Sequence, residues 1–235
     1  MEGTKVVFEV GNTGLVISES VFLSLMVLVI VSSICIYLTR NLQNIPVTKS
    51  QIIAEIIVTN VNNLIKQSMG KSYIKSYAPY IATIIAYSFV GSALSLFGLK
   101  PLTVDINIIL GWALITFGFM QINRYKSFGL IGYFKNLANP LPFMLPLNVM
   151  SELIIPVSMS FRHFGNILGG LVISDLILKG LNTLNSAMGI PFPFIQIGIP
   201  ALLSVYLDIF MGALQAYIFA TLTMVFVSTR GKQEA

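Results

Sequence analysis

The sequence predicts an all-α integral membrane protein, and three observations carry that prediction. Of its 235 residues, 55% are hydrophobic and only 10% charged, where soluble domains carry about 25% charged residues. The mean hydropathy is +0.84. The apolar stretches are long and continuous, whereas a membrane barrel alternates over segments of about ten residues. So little charge cannot cover a water-facing surface.

The elements follow in order. Residues 1–14 read as an outer N-terminal tail, since Glu2 and Glu9 stand beside the single Lys5 and no small-x-small cleavage site follows. Residues 15–38 form span 1, with Glu19 near its outer end. Residues 40–78 form a polar, basic cytoplasmic loop. Within it Ile52, Ile53, Ile56, Ile57, Val61, Leu64, Ile65 and Met69 recur at helical spacing. That pattern predicts an amphipathic helix in the membrane interface. Pro79 opens span 2, over 79–98; Gly98 to Pro101 make a turn; span 3 covers 104–122. A loop with Arg124, Lys126 and Lys135 follows, closed by Asn139-Pro140.

Two long apolar segments remain, 142–180 and 194–228, joined by a connection ending in Pro191-Phe192-Pro193 and followed by the tail 229–235. A helix over 142–180 is roughly 58 Å long, against a hydrocarbon core of about 30 Å. It must be bent, broken or tilted well beyond the usual roughly 20°. A strongly tilted helical hairpin is the simplest solution. No internal repeat is evident.

The basic loops set the expected topology. Arg40, Lys49, Lys66, Lys71 and Lys75 follow span 1; Arg124, Lys126 and Lys135 follow span 3; Arg230 and Lys232 lie near the end. The positive-inside rule then predicts five spans, with the N-terminus outside and the C-terminus in the cytoplasm. The net charge of +5 is scattered over these loops, which membrane topology explains without a nucleic-acid partner. One cysteine, Cys35, and one histidine, His163, rule out a disulfide framework and a Cys/His metal cluster. No metal or other cofactor is expected. There is no Gly-x-x-x-x-Gly-Lys-Ser/Thr loop, so no nucleotide site is expected either.

Arg162 lies within the most apolar half of the chain. A guanidinium keeps its proton in proteins, and at mid-bilayer depth it costs about 2.5–3.5 kcal/mol on insertion scales. Such a charge is functional by default. Ser158, Arg162 and Asn166 are spaced by four and share a helix face. Gly165, Gly169 and Gly170 leave that surface smooth, so another helix can approach it closely. Asp208 and Gln215, seven apart on the last segment, also face one way. Asp175 lies thirteen residues beyond Arg162, on a different side and about 20 Å further along; that suits a separate aqueous path.

Each residue also has a plain reading. Arg162 would then be half of a structural ion pair in the bundle. Asp175, with Lys179 one turn away, and Asp208 would be solvated near an interface. Asn166 and Gln215 would be interhelical glue. His163 points 100° away from Arg162 and reads as a packing residue. Glu152 reads as topological.

Pro146 to Pro156, followed by Val-Ser-Met-Ser-Phe-Arg162-His163-Phe164-Gly165-Asn166, resembles the signature of subunit a of F-type ATP synthases. Lys100-Pro101-Leu-Thr-Val-Asp105-Ile-Asn107 and Leu214-Gln215-Ala216-Tyr217-Ile218-Phe219 resemble two further motifs of that family. The resemblance covers roughly residues 70–235. It implies a non-catalytic, ion-translocating stator subunit in the membrane. Its partners would be the c-ring of the rotor, the peripheral-stalk subunit b and lipid. It also implies that Arg162 is the stator arginine, that Asn166 and Gln215 are its polar neighbours, and that Ser158 lies on the cytoplasmic access side. In that family the ion, H+ or Na+, is chosen mainly by the ring's own site. The Ile/Asn/Lys-rich composition and basic first loop point to a bacterial cell membrane.

Two departures stand out. Relatives usually have an apolar residue where this chain has His163. Many carry an acid or histidine where it has Leu171, opposite the position of Asp208. The missing polar group is expected one turn on, at Asp175; unchanged ion flux in Asp175→Leu would refute that relocation. The alternative class is a secondary transporter with an Arg–carboxylate gate, which predicts inverted repeats and no ring partner. A purely structural scaffold is the other, in which Arg162→Ala would affect assembly alone.

Overall fold

A computed structural model describes residues 6–10, 15–40, 42–43, 48–97, 99, 101–138, 141–187, 202 and 205–230. Five helices among them are long and apolar enough to cross a membrane. The protein is an all-α, multi-pass membrane protein.

The first departure from expectation is at the N-terminus. β1 (Val6–Val10) and β2 (Leu15–Ser18) form an antiparallel pair with Glu9 opposite Val16. Both are rich in β-branched and aromatic residues, which favour extended backbone. The helix α1 therefore starts at Glu19 and runs to Thr39, not from residue 15. Its 21 residues span about 31 Å, enough for the apolar core.

The helix α2 (Lys49–Ser68) occupies the expected amphipathic segment, and its apolar face divides in two. Val61 and Ile65 are buried against the bundle, whereas Ile52, Ile53, Ile56 and Ile57 stay exposed. The exposed half is left for lipid to cover. The next helix, α3 (Ile74–Ala93), begins before Pro79, which lies inside it rather than opening it.

The third span is longer than expected. The helix α4 runs from Ile106 to Leu137, 32 residues, with a break at Gly129. Gly129 has φ 67°, a conformation that glycine adopts without steric cost. The segment read as a basic loop is thus helical, and Arg124 is buried in it.

The helix α5 (Leu145–Ala187) has 43 residues and Pro156 within it. At about 64 Å it is roughly twice the thickness of the apolar core. A π-helical turn, Val205–Phe210, leads into α6 (Met211–Arg230). The expected connection at Pro191-Phe192-Pro193 and the start of the last segment at 194 lie outside the described residues; of the expected tail 229–235, residues 229 and 230 still belong to α6 and 231–235 lie outside the described residues.

The core is built around α6. Ala220, Met224 and Val227 pack with Val61 and Ile65 of α2, Tyr77 and Ile81 of α3, and Met120 of α4. Phe219 packs with Ile84, Ala113 and Met159. Buried polar contacts join the same helices: Asn123 Nδ2 donates to the Val227 carbonyl at 2.9 Å, and the Tyr80 hydroxyl meets Thr116 Oγ1 at 2.8 Å. Interhelical hydrogen bonds of this kind replace the hydrophobic driving force that lipid removes. Leu23 and Val27 hold α1 against Leu94 and Leu102.

Candidate functional site

The two halves of α5 differ. Its first half supplies Glu152, Pro156, Met159, Ser160 and His163 to the interior. From Phe164 to Ser186 no residue is buried. Arg162 sits at the border between the halves. It is exposed, and it forms neither an ion pair nor a hydrogen bond with any described residue. Ser158, one turn earlier on the same face, is also exposed, and a Cβ added at Gly165, Gly169 or Gly170 would meet nothing within 4 Å. The face is a smooth apolar surface with one positive charge.

One residue further round the helix, the environment inverts. His163 is fully buried, its ring edge-on to Trp112 at 5.9 Å and to Phe219 at 5.8 Å. Neither ring nitrogen has a hydrogen-bond partner among the described residues. A 100° step thus separates an outward cation from an inward packing residue.

Asn166, the next turn after Arg162, is tied inward. Its Nδ2 donates to Gln215 Oε1 of α6 at 3.2 Å, and Gln215 is 2% exposed. The structure therefore brings together two of the predicted site residues that lie 49 positions apart. Beside this pair is a cavity of about 180 Å³, bounded by Ser92, Asn166, Gly169, Leu171, Met211 and Gly212. A cavity needs only about 10–15 Å³ of such space per water. The Ser92 hydroxyl is buried there with no hydrogen-bond partner among the described residues. Gly212 makes the approach of α6 to α3 possible, because a Cβ there would sit 2.6 Å from Ser92 Cβ.

The two acids are placed differently. Asp175 pairs with Lys179 at 2.7 Å, and both side chains are exposed. It does not line the cavity, where Leu171 does. Asp175 lies one turn beyond Leu171 and is engaged by Lys179, and the cavity border reaches Leu171 and Ile173 without including it. Asp208 lies in the π-helical turn, and its side chain lies outside the described residues. The wider i→i+5 turn interrupts the 3.6-residue count between positions 208 and 215. Single π turns inside helices are frequent at functional sites.

One polar cluster was not legible in the sequence. Glu152, read as topological, is 3% exposed and ion-paired with Arg124 of α4, which is 4% exposed. Gln121 Nε2 donates to the second carboxylate oxygen at 3.1 Å. The available signal was an acid and a base in adjoining apolar stretches, and nothing local joins them. Among the described residues the buried ion pair is Arg124–Glu152, and Arg162 is no part of it.

Residues 21–228 match the ATP synthase A chain family. The chain belongs to that family. Among relatives, it is 30% identical to the sodium-ion-specific ATP synthase subunit a of Propionigenium modestum, over 80% of this chain and 65% of that relative's length. It is 31% identical to ATP synthase subunit a of Moorella thermoacetica, over 81% of this chain and 80% of the relative. It is 32% identical to the subunit a of a Sulfurihydrogenibium species, over 89% and 95%. The family match begins inside α1 and reaches almost to the end of α6.

Proposed function

We propose that this chain is the ion-translocating stator subunit in the membrane sector of an F-type ATP synthase, in a bacterial plasma membrane. The observation that carries the reading is Arg162: exposed, without a partner among the described residues, on a helix that buries no residue from Phe164 to Ser186. A transporter gate within one chain needs a carboxylate against that arginine. The exposed cation supports a carboxylate on another chain, the c-ring.

An ion entering from the outer side binds a ring carboxylate and neutralises it. The neutral site can then turn into lipid, which a bare carboxylate does only at high cost. When the site returns to the stator, the field of Arg162 favours the ionised carboxylate and releases the ion to the inner side. Arg162 stays charged throughout and blocks direct leakage between the two routes. Each elementary charge crossing releases about 2.3 kcal/mol per 100 mV, and rotation carries that energy to the soluble head.

Asn166 and Gln215 hold the polar environment of Arg162, and Ser158 lies on the inner access side. The cavity at Ser92 belongs to the outer route, with Asp208 near it. Asp175 has no assigned step. The N-terminus is outside and the C-terminus in the cytoplasm, as the basic loops favour. Subunit b is the second partner. The coupling ion is H+ or Na+, and the sodium-ion-specific relative keeps Na+ in view.

The test is ATP-driven ion uptake into liposomes holding the whole complex, wild type against Arg162→Ala, with assembly checked by subunit content. Lost uptake with intact assembly supports the mechanism. Unchanged uptake makes Arg162 structural and ends it.

A further inference from the structure

On the reading above, Arg162 bears the force between stator and rotor, so the helix that carries it must be held still. Core packing holds only part of α5, since no residue from Phe164 to Ser186 is buried. Beyond Arg162 the helix is tied to α6 through Asn166 and Gln215, and its most deeply packed end lies before Arg162. That end contains Glu152, ten residues before Arg162.

Glu152 is held from several directions. Arg124 pairs with one carboxylate oxygen, and Gln121 donates to the other at 3.1 Å. The Tyr133 hydroxyl donates to Gln121 Oε1 at 3.1 Å, and the Arg124 guanidinium lies over the Tyr133 ring, 5.2 Å from its centre. Arg124 and Gln121 precede the break in α4 at Gly129, and Tyr133 follows it. The cluster thus fastens both limbs of the broken α4 to one point on α5.

A buried ion pair is an inefficient way to gain stability, because apolar residues of similar volume often do as well or better. Its distinctive property is geometric. A carboxylate with donors on both oxygens accepts only one arrangement of its partners, whereas apolar packing tolerates small slips. We infer that Glu152 is a positioning residue: through Arg124 and Gln121 it fixes the anchored half of α5 and so sets where Arg162 meets the rotor carboxylate.

The test uses the whole complex in liposomes and compares Glu152→Gln with the double variant Arg124→Ala/Glu152→Ala, which leaves no charge orphaned. Ion uptake is normalised to assembled complex, and ATP hydrolysis is measured on the same samples. The expected result is normal subunit content, hydrolysis retained, and uptake lowered by about tenfold in both variants. That is below the roughly hundredfold loss that a full ångström of misplacement can cause. Wild-type uptake per assembled complex in either variant overturns the inference. So does a loss that merely follows subunit content in both, because the cluster would then hold the fold and not the arginine. Arg162→Ala is run in parallel. If it keeps uptake, the reading of the whole site fails; if it loses uptake while Glu152→Gln keeps it, only the positioning role fails.

Discussion

Asn166 donates its side-chain amide to Gln215 across 3.2 Å, while Arg162, one turn earlier on the same helix, reaches no described residue. The pair turns the Gln215 carbonyl oxygen toward Asn166. Arg162 is thereby left free to exchange one external carboxylate for the next.

That relationship is open to a double-mutant cycle. Interhelical hydrogen bonds in membranes average about 0.6 kcal/mol and reach about 1.7, so Asn166→Leu and Gln215→Leu are each expected to destabilise by about that much. Ion uptake should fall in both singles. The double variant should be no worse than the weaker single, because either change alone already breaks the pair. Additive losses in thermal unfolding and uptake would mean that the two amides act separately.

Gly212 is predicted to admit no side chain. A Cβ there would lie 2.6 Å from Ser92 Cβ and 3.1 Å from its Oγ, and both residues border the cavity. Gly212→Ala should destabilise by about 1–3 kcal/mol through overpacking and should reduce uptake by narrowing the cavity. Adding Ser92→Gly returns the space and should restore much of the stability. A silent Gly212→Ala, read by thermal unfolding of the purified complex, would show that α3 and α6 are not this close.

Asp175→Leu is predicted to leave uptake within experimental error of wild type. Its carboxylate sits in an exposed i,i+4 pair with Lys179, and exposed pairs contribute about 0–1 kcal/mol. A loss of uptake, with assembly intact, would return Asp175 to the outer route although it does not border the cavity.

The contrast between Asp175 and Asn166 marks how far the sequence could be read. Spacing by four put Ser158, Arg162 and Asn166 on one face, and helix periodicity alone carries that inference. The great length of α5 also followed from its apolar run. Tertiary pairing did not follow. Arg124 and Glu152 are 28 residues apart, and only the fold shows that one meets the other. Reading Arg124 as a loop cation also cut the third span short, since α4 continues to Leu137. The π-helical turn at Val205–Phe210 has no sequence mark, so a count of 3.6 residues per turn from Asp208 to Gln215 does not allow for it.

His163 is the residue whose chemistry invites the most over-reading. It is the only histidine and lies next to Arg162, yet its ring packs against Trp112 and Phe219, and neither nitrogen bonds to a described residue. A proton carrier works through hydrogen bonds, and the described contacts of this ring are to the aromatic rings of Trp112 and Phe219. A buried polar group left unsatisfied costs about 1–3 kcal/mol, so an apolar replacement removes a penalty as well as a contact. His163→Leu is therefore expected to keep ion uptake and to leave thermal stability unchanged or raised by about 1 kcal/mol. The change also shortens the side chain, which sets the small loss of packing against the gain. Uptake abolished in an assembled His163→Leu complex would overturn this and place the imidazole on the ion route. Destabilisation with normal uptake would instead mean that the aromatic contacts outweigh the unsatisfied nitrogens.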